Sequence, residues 1–257
     1  KKHLDLVSLG TIADIAPLLG ENRLIAKYGL KEISRTEKTG LKALKTVAGI
    51  NEKEITVTDV GFILGPRINA AGRLGDADAA IRLLTTDNED EAMEIARYLD
   101  SENRKRQVIQ GEILKEVRSM IKRQCLLDKD KAIVLSSPNW HQGVIGIVAS
   151  KIVEEYYKPT VLISLDGEYG KGSARGIPSF HLYEGLRRCS ELLIDFGGHK
   201  YAAGLTIKSE RINEFRDHFQ KIAGEMLKDE DCIPQINIDM NIKLSELDCQ
   251  LVEEINK

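Results

Sequence analysis

Aspartate, arginine and histidine stand beside glycine in four stretches of the sequence, and each stretch could hold an ion. The first is Leu9-Gly-Thr-Ile-Ala-Asp14, followed by Pro17. A carboxylate at a strand end beside a Gly-Thr turn is where α/β folds present metal-binding groups. An Asx turn or a helix N-cap accounts for Asp14 as well. The second, Gly65–Gly75, interleaves Arg67, Asn69 and Arg73 with glycine and alanine. Small residues let backbone amides approach an anion, and arginine adds forked donors for phosphate oxygens. An ordinary connection between helices is the other reading of this stretch. The third, Asn139-Trp-His-Gln-Gly143, places the only Trp beside His141 where a helix should begin. Helix N-termini favour anions and oriented donors. Equally, Trp140 is a packed aromatic and His141 a cap. The fourth is the most specific: Lys171-Gly-Ser-Ala-Arg175, then Phe196-Gly-Gly-His-Lys-Tyr-Ala-Ala-Gly204. Two glycines before His199 allow a tight turn that opens the imidazole to a ligand, and Arg175 supplies a second anion contact.

These groups need elements to hold them. Leu4–Gly10 alternates apolar and polar residues and reads as a short strand, so Asp14 falls at a strand end. Helices are expected from Gly20 to about Gly29, over Thr39–Val47 with a stop at Gly49, over Thr56–Leu64 and over Asp76–Leu84. The strongest element is a helix over Asn88–Arg123, free of proline and about 50 Å long. Its polar middle, Asp100–Gln107, reads as a solvated bridge between two domains. Beyond it the pattern changes to an α/β alternation. Strands are expected at Lys131–Ser136, Thr160–Ser164, Tyr169–Ala174 and Gly204–Ile207. Helices are expected at Gly143–Tyr156, His181–Leu192 and Glu210–Met226. Gln235–Leu244 reads as a strand, with a helix from Ser245.

Composition excludes several classes. With 42% hydrophobic and 30% charged residues the chain has a globular make-up, and no apolar run approaches a membrane span. The N-terminus does not read as a signal peptide. Cys125, Cys189, Cys232 and Cys249 lie far apart, which suits reduced, mostly buried thiols of a cytoplasmic protein and no zinc site. The net charge of −3 does not by itself announce a nucleic-acid binder. Bases dominate Arg23–Lys45 and acids dominate Lys228–Glu254. That asymmetry fits a local phosphate-binding face or solvated helix surfaces.

In order and spacing the four stretches resemble the RecJ-type exonucleases of the DHH phosphoesterase superfamily. Gly-Gly-His-x-x-Ala-Ala-Gly marks the DHH-associated domain in general. Asn-Trp-His-Gln-Gly with Gly-Pro-Arg-x-Asn-Ala-Ala-Gly-Arg-Leu points to the RecJ branch. The resemblance covers the whole chain and implies an α/β fold. A remnant of a DHH metal domain (1–88) would be joined by the long helix (89–123) to an α/β DHH-associated, substrate-binding domain (124–230). An incomplete start of an OB-type barrel (231–257) would follow. It also implies 5′-to-3′ removal of nucleotides from single-stranded DNA with Mn²⁺ or Mg²⁺, in DNA repair and recombination.

Of that family's metal ligands only the final Asp is matched, by Asp14, and no Asp-His-His triplet is present. The chain opens in mid-pattern without an initiator Met, so upstream sequence is expected. A two-metal site needs several carboxylates, so this chain alone is expected to be inactive and mainly to hold the strand. Asp14 is its catalytic and metal-site candidate. Arg67, Asn69, Arg73, Trp140, His141, Arg175 and His199 are its substrate-binding candidates. Single-stranded DNA is the expected partner, with a single-strand-binding protein or helicase beside it and no membrane. Two rival readings are another phosphodiesterase of the superfamily, acting on oligoribonucleotides or cyclic dinucleotides, and a non-catalytic single-strand-binding scaffold.

Overall fold

The computed structural model describes residues 3–123, 130–236 and 238–255; Cys125 lies outside them. The first lobe is helical: α1 Leu4–Ala13, α2 Gly20–Ser34, α3 Thr39–Val47, α4 Val57–Asp59, α5 Gly65–Leu74 and α6 Asp78–Thr85. The expected strand at Leu4–Gly10 is therefore a helix. Its buried residues Asp5, Ser8, Leu9 and Ile12 follow a helical period, and the alternation of Leu4 and Leu6 was too short to distinguish the two. Helix α2 runs past its expected end because Gly29 is a packing residue. A Cβ there would lie 2.1 Å from the Cβ of Ser8, so glycine lets α1 and α2 touch. Gly49 does stop α3, in the left-handed region at φ 72°.

Thr56 opens the next segment with a reciprocal cap. Its hydroxyl accepts from the Asp59 amide, and Asp59 accepts from the Thr56 amide. The chain then passes through a π-turn, Val60–Leu64, straight into α5. Gly65–Gly75 is thus helical up to Leu74 and not a connection. Pro66 sits in the first turn of α5, directly after the π-turn, where its ring holds φ in the helical range.

Helix α7, Glu89–Arg123, links the lobes. Ala92, Ile95, Ala96 and Leu99 enter the helical core, while Ile113, Val117 and Ile121 enter a second core with Trp140, Val144 and Leu162. The expected solvated bridge between them is half wrong. Asp100, Glu102, Asn103, Arg106 and Gln110 form a buried polar stripe, because one face of the helix here lies in the seam between the two lobes.

The second lobe is a five-stranded sheet in the order β1-β2-β3-β5-β4. Its strands are β1 Ile133–Ser137, β2 Thr160–Asp166, β3 Tyr169–Arg175, β4 Leu193–Gly198 and β5 Ala202–Lys208. Only β1 and β2 are parallel, joined through α8 Gln142–Tyr156; the other neighbours are antiparallel. Helices α9 Leu182–Arg187 and α10 Ile212–Met226 cover one face, over Val161, Ile163, Ala174, Leu205 and Ile207. Helix α8 covers part of the other. Strand β4 was not anticipated, since a segment ending in Gly197-Gly198 reads as a turn. The strand expected at Gln235–Leu244 does not form among the described residues. Ile236 and Ile238 are exposed there, with no partner strand among the described residues. A short helix α11, Cys249–Ile255, follows. Of the cysteines, Cys189 is buried but Cys249 is exposed. Among the described residues no helix is long and apolar enough to cross a membrane.

Candidate nucleic-acid interface

Side chains of β3 alternate across the sheet. Gly170, Gly172 and Ala174 face α9 and α10, while Tyr169, Lys171, Ser173 and Arg175 face the side of α8. Arg175 sits under the second and third turns of α8. It donates from Nε to Ser150 Oγ (3.2 Å), and from Nη1 to Ser173 Oγ (3.2 Å) and the Ala174 carbonyl (2.8 Å). Gly146 makes this possible, because a Cβ there would lie 2.8 Å from Ser173 Oγ and 3.0 Å from Arg175 Nη2.

The N-terminus of α8 is built with equal economy. His141 caps it, Nδ1 accepting from the Gly143 amide at 3.1 Å, which leaves Nε2 as the outward nitrogen. Gly143 has no room for a side chain, since a Cβ would stand 2.3 Å from the Arg73 carbonyl oxygen. The end of α5 is therefore locked against the start of α8, and Arg73 Nη1 donates to the Gly143 carbonyl at 3.3 Å. Arg73 thus comes from the helical lobe and reaches the first turn of α8, while Arg175 comes from the sheet lobe and lies under the second and third turns, near enough for the Arg73 charge to act on it.

A third arginine joins them that the sequence reading did not single out. Arg106 of α7 donates from Nη1 to Gln110 Oε1 (2.7 Å) and from Nη2 to Asn103 Oδ1 (2.8 Å). Burial, and then the positive charge of Arg73, push the guanidinium pKa of both Arg106 and Arg175 below the usual value. Among the described residues none of Arg73, Arg106 and Arg175 is ion-paired with a carboxylate. Together with the α8 terminus they form a concentrated positive site. The only hint of Arg106 in the sequence was its Asn103-x-x-Arg106-x-x-x-Gln110 spacing on one helix face.

The remaining candidates stand elsewhere. Arg67 is committed to Asp100, its Nε 3.0 Å from Oδ1, and to the Ile63 carbonyl. It works as a strut between α5 and α7. Asn69 is exposed on α5. Trp140 is only 3% exposed, and its indole N–H donates to Glu116 Oε2 at 2.9 Å. The ring is a core residue with no open face for a base. His199 is exposed in the β4–β5 hairpin, where Nδ1 accepts from the Tyr201 amide at 3.3 Å. That hairpin lies at the end of the sheet that carries Arg175, which pairs with Ala202. Ser173, Gly204 and Gly197 stand side by side across β3, β5 and β4. A methyl added to Gly197 or Gly204 would meet no side chain, so the sheet offers a flat floor beside Arg175.

Asp14 is exposed and ends α1 instead of a strand. Among the described residues no three His, Cys, Asp or Glu groups come together to hold a metal. These residues alone do not fit a two-metal centre, and no chemical step is assigned to one here.

The DHHA1 domain family matches residues 129–225. The single-stranded-DNA-specific exonuclease RecJ of Bacillus subtilis is 41% identical over 255 residues, which is 98% of this chain and 32% of that protein. RecJ of Haemophilus influenzae is 37% identical over 98% of this chain and 45% of its own length. The crystal structure of Thermus thermophilus RecJ in complex with Mg²⁺ superimposes with a TM-score of 0.79 at 37% identity, covering 87% of this chain and 34% of that one. The Mn²⁺ complex gives 0.78. The chain spans about a third to a half of the curated relatives it matches. With a DHHA1 domain behind a long linking helix, the chain is homologous to part of the RecJ exonucleases.

Proposed function

We infer that this chain forms the strand-holding part of a single-stranded-DNA-specific exonuclease, gripping a phosphate of the strand between its two lobes. One observation carries the reading: Arg73 and Arg175, from different lobes, both lie against the first turns of α8, and among the described residues neither is ion-paired with a carboxylate. A phosphate there would take forked donors from both arginines, the Ser173 hydroxyl and the helix terminus. The flat floor at Gly197 and Gly204 leaves room for the chain of sugars and bases, with the outward nitrogen of His199 at its end. His141 would add a donor from the rim.

Hydrolysis, its 5′-to-3′ direction and its dependence on Mg²⁺ or Mn²⁺ are proposed for the whole protein by analogy with the relatives. We place the metal chemistry outside the described residues, with Asp14 the one candidate ligand among them. An unspecialised nucleic-acid-binding scaffold is less favoured, because the positive site is a single phosphate-sized cluster and not an extended basic surface.

Binding of a fluorescent oligothymidylate and of the same sequence as duplex tests the reading. The chain should bind the single strand in preference to the duplex, and Arg175→Ala should lose about tenfold or more. Equal binding of both forms, or an Arg175→Ala variant that binds as the parent does, would overturn it.

A further inference from the structure

Arg106 is the least explained charge in the molecule. It lies where α7 has left the helical core and has not yet entered the second, on a helix that packs against both α5 and α8. Its side chain is buried at 9% exposure. The two groups that hold it, Asn103 and Gln110, are neutral amides on its own helix. Its Nε is buried and donates to no protein acceptor. The nearby Arg67 sits opposite Asp100, and Glu102 in the same stripe is taken by Lys105. Among the described residues Arg106 has no ion pair, and the positive charge of Arg73 acts on its guanidinium. A fold does not keep a cation in a seam beside a like charge for stability, since a buried charge is tolerated only when it is compensated. Asn103 and Gln110 aim the fork without neutralising it, as groups that position a binding residue do.

We propose that Arg106 is the third arginine of the phosphate site, and that a phosphate bound by Arg73, Arg106 and Arg175 fastens the helical lobe to the sheet lobe through α7. The inference rests on the phosphate-holding reading above and adds two things to it. The linking helix becomes a binding element, and the bound strand becomes part of what holds the lobes together. Each arginine comes from a different segment, α5, α7 and β3, so one phosphate neutralises the repulsion that Arg73 exerts on the other two.

The test compares the parent chain with the R106Q, R106K, R73A, R175A and R67Q variants. Each is titrated with a 5′-phosphorylated oligothymidylate by anisotropy and melted with and without it; inorganic phosphate is the small probe. The parent's melting temperature should rise with either ligand. R106Q should bind the oligonucleotide about tenfold more weakly or worse, while its melting temperature without ligand stays at or above the parent's. A merely structural arginine does the opposite, and R67Q should behave that way: a lower melting temperature with affinity retained. If R106Q does not fold, R106K keeps the charge and loses the fork, and it should still bind several-fold more weakly. Parent-like affinity in whichever of R106Q and R106K folds would overturn the role of Arg106, as would a ligand-free melting loss in R106Q with affinity intact. If R73A and R175A weaken binding but the Arg106 variants do not, the phosphate site stands and this inference fails. If none of the three positions matters, both fail.

Discussion

Gly146→Ala separates the packing role of α8 from its binding role in one substitution. The added Cβ would lie 2.8 Å from Ser173 Oγ and 3.0 Å from Arg175 Nη2, where ordinary contact begins near 3.4 Å, so both groups must retreat by about half an ångström. Alanine is better than glycine inside a helix by about 1 kcal/mol. Moving the Ser173 and Arg175 side chains off their rotamers costs about 0.5–1.5 kcal/mol. These effects nearly cancel, and global stability should change little. Binding should not be spared, because the displaced guanidinium no longer meets the phosphate squarely. Loss of one charge-assisted hydrogen bond is worth about 1.5–3 kcal/mol, or at least tenfold in affinity. Urea unfolding and single-strand anisotropy on the same preparation read the two quantities. An alanine variant that unfolds at the parent's midpoint and binds with the parent's affinity refutes the placement of the phosphate beneath α8.

Gly40→Ala should be far more damaging, since its Cβ would stand 1.6 Å from the Leu83 carbonyl oxygen; a loss of about 3 kcal/mol or more is expected in denaturant unfolding. Trp140→Phe removes the indole bond to Glu116 and should cost about 1–3 kcal/mol while leaving single-strand affinity at the parent value. Acid should unfold the helical lobe through Asp5 and Asp59. Burial pushes both carboxyls up, but bonds from Lys38, the Leu6 amide and Thr36 to Asp5, and from Lys53 and Thr56 to Asp59, outweigh it and hold both below the ordinary 3.8. A depressed folded value means the stabilisation is present above the unfolded pKa and is lost as pH falls through the folded one. The urea midpoint should therefore hold steady down to about pH 4 and drop below it, with a shallower drop in Lys38→Met.

Much of this molecule was legible in its sequence, and the failures have common physical causes. Helix α3 and the start of β3 follow directly from apolar period and glycine stops. Gly143 was read as part of a motif before its reason was visible and Gly146 was not singled out; each admits a neighbour, Arg73 or Arg175, within Cβ distance. Misreadings occurred where tertiary contact decides. Leu4–Gly10 is too short for its alternation to separate a strand from a helix, and only packing against α2 at Gly29 settles it. Arg67 and Arg73 share a motif, yet Asp100 claims the first and leaves the second at the α8 terminus. Arg106 lay in a polar run that any period analysis assigns to solvent, because a run of charge carries no mark of the second lobe that covers it. Ile236–Leu244 alternates as a strand does, but a strand needs a neighbour to bond to.

The most direct test of the phosphate site is the salt dependence of single-strand binding. For single strands the slope of log K against log salt falls by about 0.7 for each phosphate contact removed. Arg175→Ala and Arg73→Ala, which loosen the same phosphate, should each lower the slope by up to about that amount, the double variant by no more than that, and all three should weaken every sequence alike. An affinity loss with an unchanged slope would mean that these arginines hold the fold and not the strand, and would contradict the account.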